Sequence, residues 1–180
     1  MLKFKTKHFG EIEINGESLL TFNQGLFGFE HLRKFFFIET EDNENFKWLQ
    51  SGDNEKICFL VIDPVTFMFD YAIELPDETV DELQIKAAED VYICALVVVP
   101  EDPKKISANL CGPIIVNAET RLGKQIVSQD PKHEVRHYIL DEMNKNAEKM
   151  VVQEHDETDS DTEIDTNEKE VVNAGSNKKI

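Results

Sequence analysis

The sequence predicts a mainly β protein with one antiparallel, barrel-like domain, short helical turns and a disordered acidic tail. Many short apolar or alternating segments are separated by turn residues, which is typical of antiparallel sandwiches and barrels. The 180 residues, of which 41% are hydrophobic, suffice for one domain with a core but are few for two. The composition changes after about Asn144. We therefore expect the domain at residues 1–144 and the tail at residues 145–180.

A β-hairpin is predicted at the start of the chain. Leu2, Phe4 and Thr6 alternate with three lysines, and two isoleucines alternate with two glutamates after Gly10, as a period of two requires. The same criteria predict nine further strands, at Leu19–Phe22, Phe35–Glu39, Phe46–Gln50, Ile57–Ile62, Phe69–Leu75, Val91–Val99, Ile114–Asn117, Lys124–Ser128 and Val135–Leu140.

Two kinds of strand can be distinguished among these. Ile57–Ile62 and Tyr92–Val99 are almost continuously apolar, which favours burial on both faces and a central position. Phe69–Leu75 alternates instead, so we expect Tyr71 on the core face and Asp70 in solvent.

The stretch from Pro76 to Lys86 predicts a short helix with an acidic first turn, which suits the helix dipole. It carries four acidic residues, Asp77, Glu78, Asp81 and Glu82. This cluster is either a solvated face or part of a docking surface for a basic partner.

Three successive aromatic residues, Phe35, Phe36 and Phe37, cannot all face inward in one strand. We interpret them mainly as core. Phe36 or its two neighbours should then be exposed, covered by a loop or placed in an interface.

The charge of the chain excludes several partners. It has 36 acidic and 19 basic residues and a net charge of −17. Such a protein repels nucleic acids and anionic membranes and attracts basic proteins. The segment 154–170 alone has nine acidic residues and one basic residue, and too few apolar side chains to fold. This segment is either a solubilising extension or an arm that steers basic partners.

Cysteine use and targeting signals predict a cytoplasmic protein. Cys58, Cys94 and Cys111 are odd in number and lie in or beside apolar segments, without zinc or CxxC spacing. We interpret them as small core residues. No apolar stretch has the length of a signal peptide or a membrane helix, so we expect a soluble protein.

No catalytic motif occurs in the sequence, so we expect neither an enzyme nor a cofactor nor a bound metal. His133 and His137 are four residues apart but lack a supporting ligand, which favours surface or loop positions. Asp63 and Asp70 could form a carboxylate pair, yet an aspartate before Pro64 is more typical of a turn.

The segment Ser107–Asn117 contains a Gly-Pro break followed by a β-branched run. Because Pro113 cannot donate to a ladder, it belongs at the start of a strand. Asn109 and Leu110 should therefore lie at a sheet margin. We expect Asn109 to satisfy backbone groups there.

This segment resembles the closing signature of the FliW family of flagellar assembly factors. Other phrases that resemble the family occur in the family's order. They are Thr6–Gly10, Phe22–Phe29, Trp48–Ser51, Phe59–Pro64, Asp70–Leu75, Val91–Pro100 and Gly123–Gln125.

The resemblance implies a function in recognition. Family members are cytoplasmic bacterial proteins that bind the translational regulator CsrA, which relieves repression of flagellin translation, and that bind flagellin as a chaperone and competing partner. Our candidate partner-binding residues are Asp70, Tyr71, Asp77, Glu78, Asp81, Glu82, Asn109, Leu110 and Asn117. The alternative is a barrel that binds a small ligand or hydrolyses a substrate with carboxylates, which a large, deep, polar pocket would favour.

Overall fold

A computed structural model describes residues 1–40 and 45–147 and places eleven strands and two helices within them. The strands are β1 Leu2–Thr6, β2 Gly10–Ile14, β3 Leu20–Phe22, β4 Lys34–Glu39, β5 Phe46–Ser51, β6 Cys58–Ile62, β7 Val91–Val98, β8 Ser107–Ala108, β9 Ile114–Asn117, β10 Leu122–Gln125 and β11 His137–Tyr138. Helix α1 spans Asp77–Leu83, and helix α2 covers residues 139–147.

Seven strands form a closed barrel, which confirms the predicted fold class. The order is β7-β6-β5-β4-β3-β10-β9, and β9 pairs again with β7 to close the ring. All barrel pairs are antiparallel except β3 with β10. Strands β8 and β11 extend the sheet beyond β7. The β1–β2 hairpin forms a separate two-stranded sheet, as the alternation in the sequence predicts.

The barrel interior is filled by side chains. Phe22 and Phe35 are fully buried, and their rings meet edge to face with centroids 5.1 Å apart. Leucine, valine and isoleucine side chains from the other barrel strands complete this core. Burial of this apolar surface is the main stabilising contribution to the domain.

A layer of side chains outside the barrel explains how the three successive phenylalanines are accommodated. Phe35 points into the barrel, and Phe36 points out of it, yet both are fully buried. Phe36 is covered by Phe4 of the hairpin, whose ring centroid lies 4.9 Å away. Phe36 is thus covered, which was one of the three predicted alternatives, but by the β1–β2 hairpin and not by a loop.

The predicted strand Phe69–Leu75 is wrong. A 3₁₀ turn at Pro64–Thr66 precedes this stretch, and a second turn, in which the Tyr71 N–H donates to the Met68 carbonyl at 2.9 Å, occupies its first residues. Tyr71 is buried as expected, but Phe69 is 66% exposed. Residues 71–75 keep the alternating burial of an extended chain without joining a ladder. Alternation thus reported the direction of the side chains and not their backbone pairing.

The end of the domain also differs from the prediction. The strand predicted at Val135–Leu140 is only two residues long and continues directly into α2. The buried positions Ile139 and Glu142 are three residues apart, which is helical spacing, but two positions are too few to indicate a helix in the sequence. The predicted boundary at residue 144 falls inside α2, and the division into domain and tail stays a prediction because residues 148–180 lie outside the described residues.

Smaller differences concern single elements. The predicted strand Lys124–Ser128 ends at Gln125. The Ile126 N–H still donates to the Pro113 carbonyl in the register of the β9–β10 pair, but Pro113 has no N–H to return a bond, and the ladder stops there. Strand β8 was not predicted, since two residues carry no periodic pattern. Among the cysteines, Cys94 is fully buried, whereas Cys58 and Cys111 are partly buried, and all three are free thiols.

Candidate partner-binding surfaces

Helix α1 presents an acidic surface, which we define as Asp77, Glu78, Asp81 and Glu82. The helix begins after Pro76, and Gln84 ends it in the left-handed conformation with φ of 56°. Thr79 and Leu83 are buried on the inner side. The first three acidic residues are exposed, and Glu82 is partly buried. The predicted helix is confirmed, with bounds inside those expected.

One lysine neutralises part of this acidic surface. The Lys124 Nζ lies 2.6 Å from the Glu82 Oε2 and 3.8 Å from the Glu78 Oε1. The Lys124 and Glu82 side chains are mostly buried, so this pair is screened less than an exposed one. Asp77 and Asp81 form no ion pair with any other described residue. The charge available to a partner is therefore concentrated at these two aspartates.

Asn117 fastens the end of α1 to the barrel. Its Nδ2 donates to the Leu83 carbonyl at 3.0 Å and to the Gln84 carbonyl at 3.3 Å. Its Oδ1 accepts from the backbone N–H of Glu119 at 2.8 Å and of Thr120 at 3.1 Å. The side chain is 1% exposed. Asn117 thus presents no surface to a partner and acts on the acidic surface by holding its helix in place.

The margin around Asn109 has the predicted geometry. The Asn109 Oδ1 accepts from the Gly112 N–H at 3.0 Å, and the Asn109 N–H donates to the Leu96 carbonyl at 2.8 Å. The expectation that Asn109 satisfies backbone groups is confirmed. Leu110 is fully buried, so its side chain packs in the core and cannot touch a partner.

Tyr71 belongs to the same buried margin. Its hydroxyl donates to the Leu110 carbonyl at 3.3 Å, and its ring stacks on His133 with centroids 4.4 Å apart. The Ser128 Oγ lies 2.6 Å from the His133 Nδ1. Burial is the main cause that lowers the pKa of His133, which favours the neutral ring. Of the predicted site residues, only Asp70 remains exposed here.

The two histidines are not surface residues. His133 lies in a loop, as expected, but its side chain is buried. His137 lies on β11, and its Nε2 is 3.2 Å from the Glu142 Oε2. The Lys145 Nζ reaches the same oxygen at 3.1 Å. The prediction of a surface or loop position is therefore confirmed for His133, which lies in a loop, and wrong for His137, which lies partly buried on a strand.

Asp63 confirms its predicted role as a turn residue. Its carboxylate accepts from the Val65 N–H at 3.1 Å and caps the 3₁₀ turn Pro64–Thr66. Desolvation is the largest influence on the carboxyl group and raises its pKa. The Asp63 carboxylate is therefore bonded to the backbone of its own turn. Asp70 lies beyond this turn and is exposed to solvent.

A second surface is apolar and was missed by sequence reasoning. The Asn146 Nδ2 donates to the Phe67 carbonyl at 2.6 Å and joins α2 to the turn after β6. Large apolar side chains are exposed on both joined elements. We call them the apolar surface, which consists of Val65, Phe69, Leu140 and Met143. Phe69 escaped notice because the false strand placed it in the core.

Comparisons with known proteins agree with this architecture. The model of the family described as "FliW protein" matches residues 3–139. The chain belongs to the FliW family. The flagellar assembly factor FliW of Caldicellulosiruptor saccharolyticus is 39% identical over 145 residues, which are 81% of this chain and 95% of that protein. The flagellar assembly factor FliW of Caldanaerobacter subterraneus subsp. tengcongensis is 42% identical over 147 residues, covering 81% and 97%.

A solved structure shows the same fold. A crystal structure of the flagellar assembly factor FliW superposes with a TM-score of 0.72 at 32% sequence identity, over 77% of this chain and 96% of that chain. The resemblance drawn from the sequence is thereby confirmed. The FliW family consists of flagellar assembly factors and is not a family of enzymes. None of the helices in the described residues is long and apolar enough to cross a membrane.

Proposed function

We propose that this FliW-family protein acts in the bacterial cytoplasm, binds CsrA and so relieves repression of flagellin translation, and binds flagellin as a chaperone and competing partner. The observation that carries the proposal is membership in a family of flagellar assembly factors. The charge and the two exposed surfaces described above support it. Binding alone is sufficient for this function.

The acidic surface of α1 is the proposed contact for CsrA. A basic RNA-binding regulator is attracted by a chain with a net charge of −17. Asp77 and Asp81 supply charges that the described chain leaves without ion pairs. The position of α1 is fixed by Asn117, which favours a preorganised contact.

The apolar surface is the proposed contact for flagellin. Exposed apolar side chains on two elements joined by a hydrogen bond favour capture of a partner segment by burial. The exposed Phe69 is the largest of them. Aromatic residues of this kind dominate the energy of many interfaces.

The alternative function as a ligand-binding or hydrolytic barrel has less support. It required a deep polar pocket, but the barrel interior is packed with phenylalanine and aliphatic side chains. The cavities along β1 lie outside the barrel. Among the residues described by the structure, no group of three potential metal ligands comes together.

Charge reversal at α1 tests the CsrA contact. We expect the pair Asp77→Lys with Asp81→Lys to weaken CsrA binding about tenfold, because two exposed negative charges become positive. Binding by the parent protein should weaken with rising salt, since the Debye length is about 8 Å at physiological ionic strength. Titration calorimetry at several salt concentrations measures both effects.

The matched control for this variant is Glu101→Lys with Glu134→Lys, which changes the net charge equally at two other exposed positions. An equal loss in the control would show that only total charge matters and would remove α1 from the proposal. Failure of both variants to change CsrA binding would contradict an electrostatic contact altogether.

Substitution of Phe69 tests the flagellin contact. We expect Phe69→Asp to weaken flagellin binding at least about tenfold, because an aromatic anchor is replaced by a charge. The fold should be unaffected, since Phe69 is 66% exposed. The matched control is Phe27→Asp, which alters another phenylalanine that is 55% exposed. Retained flagellin binding by Phe69→Asp, or an equal loss in Phe27→Asp, would contradict this assignment.

A further inference from the structure

Strand β1 carries a concentration of positive charge on an otherwise acidic protein. Residues 1–10 contain three lysines and no acidic residue, whereas the whole chain has a net charge of −17. Lys3, Lys5 and Lys7 alternate with Phe4 and Thr6, so the lysines share the outer face of the hairpin. We call these three residues together with Lys56 the lysine face.

A groove runs beside this face, between β1 and the turn at residues 52–56. One cavity of about 600 Å³ in the groove is lined by Lys5, Lys7 and Lys56, and by Glu11 and Glu55. Strand β2, which pairs with the other edge of β1, also supplies acidic residues. The Lys3 Nζ lies 2.8 Å from the Glu13 Oε1 and 3.7 Å from the Glu11 Oε1. Lys5, Lys7 and Lys56 form no ion pair with the described residues.

The backbone of β1 has a free edge along the groove. Strand β1 pairs with β2 only, and the Lys7 N–H points away from β2 and donates to the Glu55 carbonyl at 2.9 Å. The N–H groups of residues two apart in a strand point to the same side. The backbone groups of Lys3 and Lys5 therefore face the groove, and no other described backbone group pairs with them. Such an edge is suited to the addition of a strand.

The same chain contains a sequence that complements this edge. From residue 157 to residue 165, every odd position is acidic, and every even position is threonine, serine or isoleucine. This strict period of two would place all the acidic side chains on one face of an extended chain. Neither proline nor glycine interrupts it. Its pattern is the charge-reversed counterpart of β1.

We propose that the segment 157–165 adds to the free edge of β1 as an extended strand, with its acidic face beside the lysine face. Opposite charges on neighbouring strands stabilise a pair, as Glu11 and Glu13 already do from β2. Glu11, Asp53 and Glu55 also line the groove, so the lysines attract the segment only where its alternation places the acidic side chains beside them.

The length of the chain permits this contact. Residue 161 lies fourteen positions after residue 147, and this stretch spans about 48 Å when extended at about 3.4 Å per residue. A compact domain of this size has a diameter of about 40 Å. Because the chain must pass around the domain, the segment can reach faces that lie within about 48 Å of residue 147 along the surface.

Amide hydrogen exchange on the full chain tests the proposal. We compare the parent with a neutral variant that carries Glu157→Gln, Asp159→Asn, Asp161→Asn, Glu163→Gln and Asp165→Asn. The Lys3 and Lys5 amides should exchange about tenfold more slowly in the parent, as expected for a mostly docked strand. High salt should abolish this difference in the unmodified parent. Equal exchange rates in the parent and the neutral variant would overturn the proposal.

Three controls make the outcome specific. A permuted variant that groups the five acidic residues together should lose the protection, although its charge is unchanged, because the alternation is broken. Lys5→Gln with Lys7→Gln should release the segment, whereas Lys104→Gln with Lys105→Gln should not. Protection that survives the permutation, responds equally to both lysine pairs or rises with protein concentration would overturn intramolecular strand addition, the last by showing docking of a second copy.

Discussion

The Asn117→Ala variant should unfold with a free energy of unfolding about 3 kcal/mol below that of the parent, because several buried backbone groups lose their partner at once. The amide of Asn117 donates to two carbonyls at the end of α1 and accepts from two N–H groups of the following turn. Its side chain is 1% exposed, so water cannot replace these bonds without opening the structure. Urea unfolding followed by circular dichroism measures the loss.

Asn109→Ala is the matched control for this variant. The Asn109 side chain accepts one backbone hydrogen bond and is only partly buried, so we expect a loss of about 1 kcal/mol. If Asn109→Ala and Asn117→Ala lose equal stability, the number of backbone bonds does not determine the cost. If Asn117→Ala is as stable as the parent, Asn117 does not fasten α1, and it becomes available as a direct partner contact.

The sequence predicted the barrel because the local signals and the fold agree there. Val91–Val99 and Ile114–Asn117 are apolar, β-branched segments bounded by Pro100 and Pro113, and both form strands of the barrel. Such agreement between propensity, turn chemistry and burial is what allows a strand to be recognised without its neighbours.

The failures share a physical cause, which is that contacts distant in sequence decide them. Phe69 is two residues before the buried Tyr71, so alternation predicts the same face for both. Phe69 instead lies in a turn closed at the Met68 carbonyl, and its side chain is exposed. His137 was predicted at the surface or in a loop, yet pairing with Ala108, which precedes it by 29 residues, places it in a strand. The alternation of polar and apolar residues contains no information on which distant element covers a given face.

The candidate site was predicted in the same uneven way. The acidic residues of α1 were recognisable because charge and helix signals are local. Asn117 and Leu110 were selected by their position in a resembling segment, but their side chains support the fold from within. The apolar surface could have been suggested only by the exposed positions of α2, and its pairing with Phe69 depends on the contact of Asn146 with Phe67.

Gly123 allows a test of the barrel closure itself. It lies in β10 at the parallel pairing with β3, where Gly123 is opposite Phe22. A Cβ atom at Gly123 would collide with the Phe22 Cζ, and two further ring carbons would lie 2.7 Å away. The phenylalanine ring is fully buried and stacked edge to face on Phe35, so it cannot move aside without disturbing the core.

We expect Gly123→Ala to lower the free energy of unfolding by about 3 kcal/mol, at the upper end of the cost of overpacking a core. Gly16→Ala is the matched control, because the nearest atom to its added Cβ is the Leu2 Cδ1 at 3.8 Å, and its stability should stay within about 0.5 kcal/mol of the parent. The double variant Phe22→Leu with Gly123→Ala should be more stable than the sum of its single changes predicts, since the smaller side chain makes room for the methyl group. Denaturant unfolding of the four proteins measures this coupling. Strict additivity would mean that the two residues do not compete for space, and that closure between β3 and β10 tolerates a side chain at Gly123.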